Sequence, residues 1–185
     1  ISDMMIQMGP YCPLECVHCY GDFGPNKDLP DKEIAFKAID GARKAGITQI
    51  TAGDGEPFID ANRDIVEKLC DVSSNTEVTF MTNGLFAKTA QSANEWVDFL
   101  IRSGFDLGKI VISFGNTYAT TSQHIVNAAK AWKEKVGDNL GEVLMLSFLM
   151  SKLNDRSDLD TYFELEKHVF GEKIKVSDDM TRLYT

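Results

Sequence analysis

The sequence has no apolar run near the roughly 18 residues that a membrane-spanning helix needs. It also does not open with the charged and apolar regions of a secretory signal. Basic residues are few, since 19 Lys and Arg stand against 28 Asp and Glu and give a formal net charge of −9. This balance argues against bulk binding to nucleic acid or to an anionic membrane surface. A cytoplasmic location is therefore the default expectation.

Cysteine is also scarce, and its placement excludes a disulfide framework. Cys12, Cys16 and Cys19 lie too close together to pair comfortably, and Cys70, the fourth cysteine, lies far along the chain. Reduced thiols are free to bind metal. The length of 185 residues suits one domain over residues 1–185, with 43% hydrophobic residues for a core. Because the chain begins at Ile1 and ends at Thr185, we expect it to be trimmed at both ends.

Short apolar runs alternate with helical patterns along the whole chain. The predicted strands are Met4–Met8, Ile47–Thr51, Glu77–Met81, Lys109–Ser113, Glu142–Met150 and Lys173–Val176. Five helices are predicted. The first is capped by Asp31 and has a buried stripe of Ile34, Ala38, Ile39 and Ala42. The others are Ala61–Val72, Thr89–Ser103, one that begins at Ser122, and one between Asp158 and Gly171. Repeated strand–helix–strand units predict an α/β fold with a parallel sheet.

Periodicity alone leaves two architectures open, an open doubly wound sheet and part of a (β/α) barrel. Both place binding chemistry at the carboxyl ends of the strands. The segments that follow the first four predicted strands read GPYCPLECVHCY, AGDGEPF, TNGLF and FGNTY. They are rich in glycine and small polar residues, and we expect them to meet at one rim.

The first of these segments has the spacing C-x3-C-x2-C, with Cys12, Cys16 and Cys19. Three thiolates on a short loop suit an iron–sulfur cluster, zinc or copper(I). A closed zinc site needs a fourth ligand, for which His18 and Cys70 are candidates. His18 stands between two of the cysteines, and Cys70 fits better as a small buried hydrophobe. The spacing i, i+4, i+7 is also that of a helical stripe, but glycine and proline on both sides would keep such a helix very short.

The stretch CPLECVHCY resembles the cluster-binding loop of the radical S-adenosylmethionine (radical SAM) superfamily. The resemblance extends over most of the chain and implies a partial (β/α)6 TIM-like barrel with parallel strands. It implies a [4Fe–4S] cluster held by Cys12, Cys16 and Cys19, with the fourth iron left for SAM. His18 then lies against the adenine, and Tyr20 is the aromatic residue that follows the last ligand in many members.

Three further motifs carry the same resemblance. GDGEP, residues 53–57, is similar to the GGEP motif whose backbone meets the SAM amino group, and it implies that Asp54, Gly55 and Glu56 contact SAM. Asp54 replaces the first glycine, and aspartate tolerates an unusual φ better than most residues. MTNG is similar to the motif that ends the third strand, and the resemblance implies that its Asn83 binds the cofactor. ISFG is similar to the fourth-strand motif, and the resemblance places its Ser113 near the ribose or carboxylate of SAM. The aspartate expected after Ser113 is missing.

The resemblance implies an enzyme that cleaves SAM reductively and uses the resulting 5′-deoxyadenosyl radical to abstract hydrogen from a substrate. The residues offer no general acid–base pair, so the catalytic residues are unknown. The substrate is a peptide or a small metabolite, with a weak preference for a peptide, and the reductant is a protein such as flavodoxin or ferredoxin. Two alternatives stay open: an iron–sulfur module without SAM turnover, and a zinc-stabilised binding domain.

Overall fold

Five parallel strands form one sheet in this computed structural model, which describes residues 2–16, 19, 21–106, 108–114, 121–148 and 156–171. The strands are β1 Asp3–Gln7, β2 Gln49–Gly53, β3 Glu77–Thr82, β4 Gly108–Phe114 and β5 Leu144–Phe148. The helices are α1 Lys32–Lys44, α2 Arg63–Val72, α3 Ala90–Arg102, α4 Ser122–Val136, α5 Leu140–Val143 and α6 Arg156–Phe170. The predicted sixth strand, Lys173–Val176, lies outside the described residues.

The strands lie side by side in the order in which they occur along the chain, β1-β2-β3-β4-β5. A doubly wound sheet reverses its strand order at a switch point, whereas a (β/α) barrel does not. The order therefore selects the partial barrel, and the α/β class predicted from the sequence is confirmed. The predicted limits of β1 to β4 are within two residues of the observed ones, but Glu142–Met150 is wrong at its start, because residues 140–143 form the short helix α5.

The helices cover one face of the sheet, and the core lies between the helices and the sheet. Alternate strand residues such as Ile6, Ile50, Phe80 and Ile112 are buried under this layer. A cluster of aromatic side chains continues the core toward the carboxyl ends of the strands. In this cluster the ring centroids of Phe58 and Phe80 lie 5.2 Å apart. Within the described part of the chain, no helix is long and apolar enough to cross a membrane.

The first helix shows how the sheet edge changes the buried pattern. Asp31 caps α1 as predicted, since its Oδ1 accepts hydrogen bonds from the backbone N–H groups of Glu33 and Ile34. The prediction that Ile34 is buried is wrong, because its side chain is 66% exposed. The buried stripe runs through Ala35, Ile39 and Ala42. Since α1 covers the edge strand β1 and packs against α2 on one side, its other flank faces outward.

The second face of the sheet, which we call the concave face, carries the strand residues that alternate with the core. Met5, Met81 and Met145 are exposed on it. Cross-strand register aligns Thr51 with Thr79, Met81 with Val111 and Ser113 with Ser147. The described part of this face is therefore a mixture of flexible apolar side chains and hydroxyl groups beside the carboxyl ends of the strands.

Candidate functional site

The cysteine loop leaves β1 and is held at its base by backbone hydrogen bonds. Tyr11 pairs with Gly24, the Cys12 N–H donates to the Gly24 carbonyl at 3.1 Å, and the Gly24 N–H donates to the Pro10 carbonyl at 3.1 Å. Residues 11–16 are not helical, so the helical-stripe interpretation of the cysteines is wrong for this part of the loop. The Cys19 N–H donates to the Cys16 carbonyl at 3.0 Å, which brings these two ligand candidates onto one turn.

Cys12, Cys16 and Cys19 are all free thiols. Burial raises the pKa of Cys12 and of Cys16. Negative charge raises each pKa further: that of Glu56 and then Cys19 acts on Cys12, and that of Cys12 and Cys19 acts on Cys16. The three groups are therefore close enough for their charges to repel, which a bound cationic centre would relieve. Among the described residues, no three Cys, His, Asp or Glu side chains converge on a single metal ion. A cubane cluster does not require such convergence, because each cysteine binds a different iron.

The fourth cysteine does not belong to this site. Cys70 lies on α2 and is fully buried, and burial raises its pKa to about 12. The prediction that it is a small core hydrophobe is confirmed, and it is no candidate for a fourth ligand. His18 and Tyr20 lie outside the described residues, so the contact of His18 with the adenine and the cofactor-binding role of Tyr20 stay predictions.

The loop after β2 packs directly against the base of the cysteine loop. Asp54 has φ = 55°, the only positive φ of a non-glycine residue among those described, so it has the left-handed backbone conformation that favours glycine. Gly55 has φ = 108°, and a Cβ there would lie 2.1 Å from the Gly9 carbonyl oxygen. The Glu56 N–H donates to the Tyr11 carbonyl at 3.2 Å. This close approach explains why the motif needs glycine-like backbone at residues 54 and 55.

The Glu56 side chain is only 2% exposed, and it joins two loops. Its Oε1 accepts hydrogen bonds from the Thr82 hydroxyl at 2.7 Å and from the Phe58 N–H at 2.9 Å. Its Oε2 accepts from the Asn83 N–H at 2.8 Å. Burial raises the pKa of Glu56 to about 7, and the three hydrogen bonds oppose that rise. The carboxylate thus binds protein donors, and a contact between Glu56 and SAM stays a prediction.

Asn62 completes the link between these loops and was not singled out from the sequence. It is fully buried, and its Nδ2 donates to the Glu56 carbonyl at 2.9 Å and to the Met8 carbonyl at 3.4 Å. Its position at the start of α2 gives no local signal of the contact with β1, because the Met8 carbonyl lies 54 residues away along the chain. It holds the end of β1 and the loop after β2 together.

Asn83 directly follows β3, and Ser113 is the next-to-last residue of β4. The Nδ2 of Asn83 lies 3.8 Å from Cys12 Sγ, at the distance of an N–H to sulfur hydrogen bond. Ser113 is partly buried on the concave face, near the carboxyl end of β4. The structure therefore brings Asn83 to the cysteine loop, while a contact between either residue and SAM stays a prediction.

The donor set of the loop fits an iron–sulfur cluster. Three free thiols lie on the loop that follows β1, and an amide N–H group faces one of the sulfurs. Cysteine thiolates with surrounding hydrogen-bond donors are the usual protein environment of such clusters. The fold and this site define a class of (β/α) barrel proteins with a cysteine-based cofactor loop at the carboxyl rim.

The family model of the radical SAM superfamily matches residues 6–164, and the chain belongs to this superfamily. Membership implies SAM and an iron–sulfur cluster as cofactors. No curated protein matches the sequence.

Solved structures similar to this one include the following two. One is Streptococcus suis SuiB bound to the precursor peptide SuiA, with 15% identity and a TM-score of 0.68 over 98% of this chain and 44% of that chain. The other is the cobalamin-dependent SAM radical enzyme OxsB, bound to aqua-cobalamin and SAM, with 16% identity and a TM-score of 0.54 over 94% of this chain and 28% of that chain. At these identities the likeness shows the fold alone. The chain spans less than half the length of either protein.

Proposed function

We propose that this chain is the catalytic core of an enzyme that cleaves SAM reductively at a [4Fe–4S] cluster and abstracts hydrogen from a peptide. The observation that carries the proposal is the cysteine loop, whose three free thiols lie on a base fixed by the loop after β2. The chemistry supplied by a bound cluster and SAM is one-electron cleavage of SAM to a 5′-deoxyadenosyl radical.

The chain's own residues hold and orient these cofactors. Cys12, Cys16 and Cys19 are the proposed iron ligands. The partly exposed backbone of Asp54 and Gly55 borders the loop and is the proposed contact of the SAM amino group. Asn83 and Ser113 flank the same rim from β3 and β4. His18 is the proposed residue beside the adenine, and Tyr20 is a further proposed cofactor-binding residue.

The concave face supports a peptide as the substrate. Near the rim its described side chains are uncharged: Met81, Val111, Ser113, Met145 and Ser147. Lys109, farther from the rim, lies 3.7 Å from Glu77, which offsets its charge. Flexible methionines adapt to irregular apolar shapes, and hydroxyl groups can bind backbone amides. An anionic metabolite would find no unpaired basic side chain on the described part of this face. The fold shared with SuiB, whose structure contains a precursor peptide, supports the same choice.

Anaerobic reconstitution with iron and sulfide tests the enzyme. We expect a broad visible absorption that changes when SAM is added, and release of 5′-deoxyadenosine after reduction. Cys16→Ala should lose the cluster. The matched control, Cys70→Ala, makes the same chemical change in the core, and it should keep the cluster at a cost of about 1–2 kcal/mol in stability. A cluster without SAM cleavage would indicate a module without turnover, and tight zinc binding with no cluster would refute both iron-based functions.

Isotope transfer tests the substrate class. The loaded enzyme is given SAM, a reductant such as flavodoxin or ferredoxin, and either a fully deuterated peptide pool or a deuterated pool of small metabolites. We expect deuterium in 5′-deoxyadenosine from the peptides, because the radical takes its hydrogen from the substrate. Transfer from the metabolites alone would contradict the peptide assignment and leave the SAM chemistry intact.

A further inference from the structure

The side-chain amide of Asn83 is held in one orientation by the turn that follows β3. Its Oδ1 accepts a hydrogen bond from the Leu85 N–H at 2.9 Å. A backbone N–H group can only face an acceptor, so this contact fixes the amide oxygen toward Leu85 and directs the NH2 group away from it. Gly84, with φ = 77°, permits the turn.

The backbone of the same residue is also fixed. The Asn83 N–H donates to Glu56 Oε2 at 2.8 Å, and the Gly84 N–H donates to the Thr82 hydroxyl at 3.1 Å. Asn83 is only 7% exposed, so these contacts are largely shielded from water. The amide is therefore preorganised before any cofactor is bound.

The NH2 group that this arrangement directs away from Leu85 faces Cys12 Sγ at 3.8 Å. Cys12 is one of the three proposed iron ligands. Reduction adds negative charge to a cluster and its sulfur ligands, so a donor to a ligand sulfur stabilises the reduced form more than the oxidised form. Hydrogen bonds to the sulfurs are among the factors that set the potential of a cluster.

We propose that Asn83 is a positioning residue for the cluster, which donates an N–H···S hydrogen bond to Cys12 and thereby raises the reduction potential. This inference rests on the proposed function. It assigns the Asn83 side chain to the cluster ligand, whereas the sequence resemblance suggested a contact with SAM.

Asn83→Ser is the main test, because it removes the amide donor, adds no charge, and has a hydroxyl that can accept from the Leu85 N–H. Asn83→Asp also removes the donor and keeps a side-chain oxygen for that N–H, but its negative charge lowers the potential by itself. The control is Asn75→Asp, which makes the same chemical change at an exposed residue bound only to Ser74 in its described side-chain contacts. The midpoint potential of the reconstituted cluster is measured without SAM, by dye-mediated titration followed by electron paramagnetic resonance.

We expect the ratio of reduced to oxidised cluster at a fixed applied potential to fall about tenfold in Asn83→Ser, which equals a shift of about −59 mV for one electron. Asn83→Asp should shift further in the same direction, and Asn75→Asp should match the wild-type protein. A wild-type potential in Asn83→Ser, at equal iron content, would overturn the inference and leave the proposed function standing, even if Asn83→Asp is shifted. Loss of the cluster from both variants with unchanged circular dichroism would also overturn it, because Asn83 would then be needed for assembly rather than for potential. Failure of the wild-type protein to hold a cluster would refute the proposed function itself.

Discussion

The stability of Glu56→Gln relative to the wild-type protein should rise between acidic and neutral pH. Glu56 is a buried carboxyl group whose recorded hydrogen-bond donors, Thr82, Asn83 and Phe58, are all neutral. Burial raises its pKa from 4.5 to about 7. Because the folded pKa is the higher one, Glu56 contributes stability that is fully present below pH 4.5 and is lost as the pH rises to about 7. The pKa difference corresponds to about 3 kcal/mol.

Glutamine has one acceptor oxygen and an NH2 group in place of the second oxygen, so its NH2 group faces an N–H donor, whereas the hydroxyl of the protonated acid can still accept. Below about pH 4.5 the variant should therefore be less stable than the wild-type protein by about 1–3 kcal/mol. Near pH 8 the wild-type protein contains a buried charge and the variant does not, so the difference should move by about 3 kcal/mol in favour of Glu56→Gln. Glu56→Ala leaves three donors without an acceptor and should lose at least about 3 kcal/mol at every pH.

Urea unfolding of the reduced, cofactor-free chain between pH 4.5 and 8 measures these differences. Other groups titrate in this range, and burial also raises the pKa of Glu166, so the difference between variant and wild type is the informative quantity. Glu95→Gln, at an exposed helical residue, is the matched control and should follow the wild-type curve. The reasoning is refuted if Glu56→Gln is less stable than the wild-type protein by a constant amount at every pH. The three hydrogen bonds would then outweigh burial.

Three further predictions concern backbone and packing, and each is measured by urea unfolding. Asp54→Val should cost about 2 kcal/mol more than Asp54→Gly, because both lose the carboxylate but only a β-branched residue is strained at φ = 55°. Equal effects would contradict the left-handed backbone. Gly55→Ala should cost more than about 3 kcal/mol, since its Cβ meets the Gly9 carbonyl, whereas Gly41→Ala in open space on α1 should gain about 0.5–1 kcal/mol. Ile39→Ala should cost about 2–5 kcal/mol and Ile34→Ala less than about 0.5 kcal/mol, and a larger loss at Ile34 would contradict its exposure.

Periodicity predicted the order and type of the elements because these depend on local pattern. It failed where the outcome depends on neighbours. Ile34 has the spacing of a buried residue, but it lies on the flank of a helix at the edge of the sheet. The predicted strand begins at Glu142, yet Glu142 and Val143 belong to the helical turn α5 before β5. A short apolar run does not by itself distinguish a helix from a strand.

The cysteine loop and its companion motifs could be found in the sequence because each is a compact local signature. The contacts that support them could not. Glu56 meets Thr82 and Asn83 across 26 and 27 residues, and Asn83 meets Cys12 across 71 residues. Asn62 reaches Met8 across 54 residues. No pattern within one segment indicates such pairings, so the sequence predicted which segments carry the chemistry and the structure supplied how they are held.

These long-range contacts indicate that the polypeptide, rather than the cofactor, builds the base of the site. The N–H groups of Cys12, Gly24 and Glu56 all bind carbonyls of the chain itself. Because none of these acceptors is supplied by a ligand, the three amides should exchange slowly with deuterated water in the cofactor-free protein. Cluster loading should change their rates by less than about fivefold, which corresponds to about 1 kcal/mol. Gly55→Ala should speed their exchange because it separates the two loops, and Gly41→Ala should not. If the amides exchange freely without the cluster and become protected only after loading, then the cofactor organises the loop and this account of the site is wrong.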